Sequence, residues 1–395
     1  MVLSVSFKYI HNQNGDLIEK ENPDGTKVYF EYDENSNLLS ITDELGGVQT
    51  FVYDSNNNLV ESIRKDGSKL TFNYDNKGNL SSESLNGTIL RSYEYDRINR
   101  VIQTTDALGN STKLDYAPNG SITETTLANG VSSKNIYNKE ARLVESIDGN
   151  GNSTKYKYNS MGSLSEMISA DGAITSYSYD NMQNLVKTTF ADGTEIENVY
   201  DDAGRLIKEI DELGNFKTYT YDNNGNILTA TDELGRLTSF EYDALNRLIK
   251  TTNPLGDEST LTYRYDGKVL SSTDLAGKIT TYDYDDLGRV IKVTTPDGSS
   301  ESLNYDLMGN IISSIDKLNR ETKYTYDERQ NLISITRPDG TVLENEYDLN
   351  NNLIKSIDAM GNATKYQYDN LNRLVEKTNA LGDSVSLEYD NNSNV

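Results

Sequence analysis

The residues able to do acid–base or nucleophilic chemistry are few in kind. One histidine, His11, and no cysteine occur in 395 residues. No usual nucleophile–base pair and no thiolate metal site can be assembled from them. Carboxylates are abundant, and adjacent pairs stand at Asp201-Asp202 and Asp285-Asp286. Paired carboxylates could flank a glycosidic bond. These pairs recur inside turn segments rich in Asp, Asn and Gly, where side-chain oxygens bond the nearby backbone, and hairpin chemistry accounts for them. No catalytic residue is assigned, and no cofactor is expected. The candidate cation site is Asp222, Asn224 and Asn226, three oxygen ligands in one turn of the kind calcium takes. Neither an EF-hand loop nor a Gly-Gly-x-Gly-x-Asp repeat surrounds them. The remaining resource is aromatic. An exposed row of tyrosines would stack on sugars, whereas a packed row would be a structural ladder; their even recurrence makes the ladder the expectation.

That recurrence defines the elements. With Tyr221 as reference, steps of 21 residues land on Tyr32, Tyr53, Tyr74, Tyr95, Tyr116, Tyr137, Tyr158, Tyr179, Tyr200, Tyr242, Tyr263, Tyr284, Tyr305, Tyr326, Tyr347, Tyr368 and Tyr389, with His11 one step before Tyr32. The register never slips, which marks a repeat architecture. Leu, Ile or Val stands six residues after every anchor, from Leu17 to Val395. Gly stands fourteen residues after it except at Thr88 and Asn319.

Each repeat reads as strand, turn, strand, turn. Residues two apart on a strand share a face, so Tyr219 and Tyr221 lie together and Thr218 and Thr220 oppose them. Asp-Asn-Asn-Gly-Asn after Tyr221 is turn chemistry. Ile227 opens a second strand, and Asp232-Glu233-Leu234-Gly235 closes it. A second flavour of that closing turn is x-Asp-Gly, as at Pro338-Asp339-Gly340. Both connections are too short for a parallel crossover and suit antiparallel neighbours. Asp266-Gly267 after Tyr263 is a short hairpin signal, so a tightened loop with longer strands is expected there. The region 85–151 departs most from consensus, at Leu85-Asn86-Gly87, Tyr116-Ala117-Pro118 and Tyr137-Asn138-Lys139-Glu140-Ala141, and altered turns are expected in it. Leu3, Val5, Phe7 and Tyr9 alternate with Ser4, Ser6 and Lys8 as a first strand.

The expected fold is therefore all-β: two antiparallel strands per 21-residue repeat, forming one long curled or spiralling ribbon. Residues 1–395 read as a single array of about 18 repeats. About 36 strands at ~4.8 Å spacing would give a ribbon near 170 Å long, which must twist; closed in one turn, it would be about 55 Å across. Hydrophobic residues make up only 35% of the chain, which fits a thin sheet with little two-sided core. The net charge of −25 argues against nucleic-acid backbones and anionic membrane surfaces. No apolar run approaches the ~18 residues of a membrane span, and the start lacks the pattern of a signal peptide. Val395 falls where a new strand would begin, so the chain reads as a fragment of a longer repeat protein.

Tyr221-Asp222-Asn223-Asn224-Gly225-Asn226-Ile227, Tyr200-Asp201-Asp202-Ala203-Gly204-Arg205-Leu206 and Tyr284-Asp285-Asp286-Leu287-Gly288-Arg289-Val290 resemble the YD repeat of the RHS family of bacterial proteins and of teneurins, and the resemblance covers essentially the whole chain. It implies a spiralling β-sheet that forms a hollow shell. In RHS toxins and Tc toxin C subunits such shells enclose a C-terminal toxic polypeptide. It implies a secreted or cell-surface bacterial location. Its implied partners are flanking shell segments, an encapsulated toxin polypeptide and, on the alternative reading as a carbohydrate-binding or adhesion array, glycans. The family's C-terminal core motif, with its Asp-Pro-x-Gly signature, does not occur in this sequence.

Overall fold

The structure is a computed structural model that describes residues 6–395; Leu3 and Val5 of the expected first strand lie outside the described residues. Among those described there is no helix, and 37 strands belong to one antiparallel sheet. Strands before the first turn are mostly six residues long and end on the anchor tyrosine, as in Phe216–Tyr221. Strands after it are mostly five, as in Ile227–Thr231. The all-β expectation with two antiparallel strands per repeat holds.

The described residues form two compact units. One comprises the described part of Met1–Asp115 with Thr125–Val131 and Tyr282–Val395; the other comprises Tyr116–Glu124 and Ser132–Thr281. Both have the same local construction. Successive strands pair with their sequence neighbours, as Phe216–Tyr221 pairs with Leu206–Ile210 on one side and Ile227–Thr231 on the other. Fully buried apolar side chains are almost wanting: among the described residues only Leu85 is a buried hydrophobic. The low apolar content is thus spent on half-covering the sheet faces, not on a closed core.

The anchor tyrosines occupy the half-buried face of their strands. In Phe216–Tyr221, Tyr219 and Tyr221 are half-buried and Thr220 between them is exposed. Most anchors also sit at a break in register. Thr220 faces Thr229, but Tyr221 faces Ile227, so Leu228 is an extra residue on the partner strand. The same irregularity precedes Tyr32, Tyr53, Tyr158, Tyr263 and Tyr368. An extra residue bends the strand that carries it and raises the local twist. The sequence sign of this bulge is two consecutive apolar residues, Ile227-Leu228, where a plain strand would alternate.

Two turn expectations are corrected. The loop after Tyr263 is not tightened. Arg264 N–H donates to the Lys268 carbonyl and Gly267 N–H to the Arg264 carbonyl, the same frame as Asp222–Asn226, and strand Glu258–Tyr263 has the ordinary length. Gly267, at φ 87°, simply fills the left-handed place that Gly225 fills two repeats earlier. The tight hairpin occurs instead at Asn86-Gly87, between Leu80–Leu85 and Thr88–Tyr95. Both loop residues have positive φ, which a two-residue turn matched to strand twist requires. The loops at 117–121 and 138–142 keep the standard frame despite losing Asp: Ala117 N–H still donates to the Ser121 carbonyl, and Asn138 N–H to that of Arg142.

Candidate functional site

The recurring unit of interest is the Tyr-Asp turn and its links to the next repeat. Asp222 Oδ1 accepts from the backbone N–H groups of Asn224 (2.8 Å) and Asn226 (2.9 Å), and its Oδ2 accepts from Asn226 Nδ2 (2.8 Å). The aspartate thereby holds a five-residue loop closed. These bonds, led by the Asn226 side-chain amide, keep the Asp222 carboxyl below its ordinary range. At Asp201 the Arg205 backbone N–H is the largest cause of the same depression, followed by its guanidinium.

The anchor phenol reaches backwards. Tyr221 Oη donates to the carbonyl of Leu206, 2.6 Å away and fifteen residues earlier. The ladder between Leu206–Ile210 and Phe216–Tyr221 runs only from Lys208–Thr218 to Ile210–Phe216, so the Leu206 carbonyl has no ladder partner on that side and the phenol takes its place. The same bond recurs at Tyr74, Tyr95, Tyr158, Tyr179, Tyr200, Tyr263, Tyr305, Tyr326, Tyr347, Tyr368 and Tyr389. Tyr32, Tyr53, Tyr242 and Tyr284 hold the same half-buried position. Burial, more than any neighbouring charge, raises the Tyr221 hydroxyl above its ordinary pKa; burial does the same at Tyr32, Tyr53 and Tyr242.

A second link runs forwards, from the residue that closes one Tyr-Asp loop to the left-handed residue of the next. It takes two forms. Where the next loop carries Asn or Gln there, the closing residue is small and polar: Asn226 Nδ2 donates to Asn246 Oδ1 (2.9 Å), Asn331 to Asn351 (2.8 Å), Asn352 to Asn372 (2.8 Å), Ser163 Oγ to Gln183 Oε1 (2.6 Å). Where the next loop carries Gly, Arg can close the first. Arg205 donates to the Asp222 carbonyl (2.8 Å) and lies over the Tyr221 ring at 4.9 Å. Arg247 and Arg289 do the same to Arg264 with Tyr263 and to Asp306 with Tyr305. At one such pair the space is tight, since a Cβ on Gly162 would meet the Arg142 guanidinium at 2.7 Å; at Gly225, Gly267 and Gly309 a Cβ would meet nothing. The sequence carries this signal, Arg205 with Gly225 but Asn226 with Asn246, in pairs that link two different positions of successive repeats and so do not show at any single phased position.

The first unit contains a third set of contacts, between loops far apart in sequence. Asn86 Nδ2 donates to Glu328 Oε2 (2.7 Å), Gln330 Nε2 to Asp66 Oδ2 (3.3 Å), Asn350 Nδ2 to Asp106 Oδ2 (2.6 Å) and Asn370 Nδ2 to the Ala128 carbonyl (2.9 Å). Strand-closing turns of early repeats here meet Tyr-Asp loops of late ones along a seam. A shallow cleft of about 530 Å³ lies on it, lined in part by Asp66, Asn86, Tyr324, Tyr326 and Glu328.

The remaining sequence candidates are placed as follows. His11 ends the strand Lys8–His11 and is exposed. Asp201 and Asp285 are half-buried and locked to Arg205 and Arg289, while Asp202 and Asp286 are exposed, so neither pair converges on a shared point. Asp222, Asn224 and Asn226 are brought together, with their polar atoms engaged: Asn224 and Asn226 both donate to Asn246. Among the described residues no group of three or more His, Cys, Asp or Glu side chains is arranged for a metal, and no helix is long and apolar enough to cross a membrane.

Comparison with known proteins agrees with this construction. The RHS repeat profile matches residues 200–236, 224–258, 263–300, 305–342 and 347–384. The teneurin YD-shell profile matches 2–126 and 48–210, more than half of the chain. Among the curated proteins no sequence matches. Among solved structures, the Photorhabdus luminescens Tc holotoxin pore with a TccC3 mutation aligns at TM-score 0.56 and 16% identity, over 94% of this chain and 24% of that one. TcdB2-TccC3 aligns at 0.54 and 13%, over 94% and 30%, and its form without the hypervariable C-terminal region at 0.57 and 18%, over 94% and 22%. The chain thus spans less than a third of the length of these structures, and the likeness is one of fold. Phased Tyr-Asp loops, a continuous antiparallel sheet and the extent of the profile matches lead to one conclusion: the chain belongs to the teneurin YD-shell family of RHS-repeat proteins.

Proposed function

We propose that this chain is a non-enzymatic wall segment of a hollow β-shell, belonging to an RHS-type secreted or cell-surface bacterial protein. Residues 1–395 act as one array within it, flanked by further shell segments, and the shell encloses a toxic polypeptide. One observation carries this reading: the recurring polar groups of the Tyr-Asp loops are engaged within their own loop or by the neighbouring repeat. The anchor phenol caps the preceding repeat, the loop aspartate closes its own loop, and the Asn or Arg that ends the loop reaches the next one. Such a surface is built to be continuous, not to bind and turn over a small molecule. Similarity to structures titled as TcdB2-TccC3 and the Tc holotoxin pore supports the shell reading.

The test is a protection experiment. A protease-sensitive polypeptide is fused after Val395, and its digestion is compared with that of the same polypeptide free in solution. Enclosure predicts cleavage slowed by at least about tenfold, with hollow particles in electron micrographs. Equal digestion rates would overturn the proposal.

A further inference from the structure

We propose that Asn86 is a self-acting modification site: its side-chain amide is lost by attack of the Gly87 backbone nitrogen, and the product loosens the seam of the first unit. The only co-reactant is water. Asn-Gly occurs six times, at Asn14-Gly15, Asn86-Gly87, Asn119-Gly120, Asn129-Gly130, Asn150-Gly151 and Asn224-Gly225. Glycine has no Cβ to keep its nitrogen away from the preceding side chain, so all six share the bare sequence signal. The structure separates one from the rest.

In five of them the glycine amide is already engaged. Gly15 N–H donates to the Asn12 carbonyl (3.1 Å), and Gly120, Gly130, Gly151 and Gly225 donate in the same way to Ala117, Leu127, Asp148 and Asp222 (2.8–3.2 Å). The two-residue hairpin has no such bond. Among the described residues Gly87 N–H has no acceptor, and Asn86 and Gly87 are both exposed to water. Attack therefore breaks no hydrogen bond of the nucleophile. Lys69 N–H donates to Asn86 Oδ1 (2.8 Å), the oxygen on which negative charge gathers when a nucleophile adds to Cγ.

The step balances without an oxidant or reductant. Gly87 N bonds to Cγ, the Cγ–Nδ2 bond breaks, and Nδ2 leaves as ammonia with the glycine proton. Water then opens the five-membered ring at either carbonyl, leaving aspartate or isoaspartate. Either product is ionised near neutral pH. The seam feels the change directly, because Asn86 Nδ2 donates to Glu328 Oε2 at 2.7 Å. A donor becomes a second carboxylate, and like charges replace a hydrogen bond. Isoaspartate also adds a methylene to the backbone, which a two-residue turn held by the pairing of Leu85 with Thr88 has no slack to absorb.

The test incubates the full chain at mildly alkaline pH and follows all six sites by peptide mapping in the mass spectrometer, with isoaspartate detection. A backbone hydrogen bond of ordinary strength holds an amide back about fivefold, so Asn86 should convert at least about fivefold faster than any of the other five. Gly87→Asn supplies a residue that tolerates the left-handed region, and a Cβ there meets nothing. It should keep the parent's circular dichroism and lose most of the conversion at Asn86. Asn86→Asp, examined without ageing, should show the aged protein's faster hydrogen exchange at the 327–331 loop. Adding Glu328→Gln should reverse that change, since the new carboxylate then meets an amide. Conversion at Asn86 no faster than at the other five sites would overturn the proposal. So would unchanged exchange at 327–331 in the Asn86→Asp variant.

Discussion

At the anchor, the ring and the hydroxyl do separate work. The ring half-covers the sheet face, and the hydroxyl caps a carbonyl that the strand ladder leaves free, as Tyr221 does for Leu206. Tyr221→Phe keeps the first function and removes the second. The expected cost is about 1 kcal/mol for a lost neutral hydrogen bond, rising toward ~2 if the carbonyl stays dry, read as a lower urea midpoint with an unchanged slope. The phase of the tyrosines was legible because the type recurs every 21 residues. The acceptor was not, because it depends on where the ladder stops, and that is set by the bulge. The forward link yields a second prediction. Gly162→Asn alone should destabilise by about 1–2 kcal/mol, since its side chain meets the Arg142 guanidinium in a left-handed conformation that Asn tolerates. Adding Arg142→Asn should return most of that loss by creating the rung seen at Asn226 and Asn246. A double-mutant cycle measures the coupling, and simple additivity would refute the steric account.

Turns were the least legible elements, and two similar dipeptides show why. Asp266-Gly267 and Asn86-Gly87 look alike as dipeptides. The first sits at the third and fourth places of a standard five-residue loop, the second where strands on both sides have grown to meet it. Loop frame is fixed by the strands, not by the dipeptide. The same frame survives at Asn138, whose side-chain oxygen accepts from the backbone N–H groups of Glu140 and Arg142 as an aspartate would. This leads to a prediction about acid. The carboxyls of Asp33, Asp54, Asp75, Asp180, Asp222 and Asp243 are held below the ordinary value, chiefly by the side chain four residues on. A pKa depressed in the folded state means stability that is present above the unfolded value near ~4 and lost as pH falls below it. Melting temperature should therefore drop steeply on acidification below about pH 4. Asp222→Asn keeps the two backbone bonds without the charge and should make that limb shallower. A variant with an unchanged acid limb would refute the assignment.

At the scale of the molecule, strand content, antiparallel order and thinness followed from the sequence, because alternation and short turns are local. The seam did not. It joins residues more than 240 positions apart, and nothing in a single repeat marks which partner will face it. Its energetics are nevertheless testable. Asn350→Asp would set a carboxylate against Asp106, where the amide now donates at 2.6 Å. Hydrogen exchange should then rise together at the loops around 106 and 350, with most strands of the second unit unaffected; a response confined to one loop would argue against the contact.

The phenol-to-carbonyl bond always points toward the amino terminus, from each repeat to the one already made. A nascent chain can therefore complete its structure in the order in which it is synthesised, each tyrosine that makes this bond sealing the segment behind it. Ribosome-stalled chains lengthened by 21 residues at a time should gain protease resistance in equal increments. A single late jump would mean that the ladder closes only when the whole polypeptide is present.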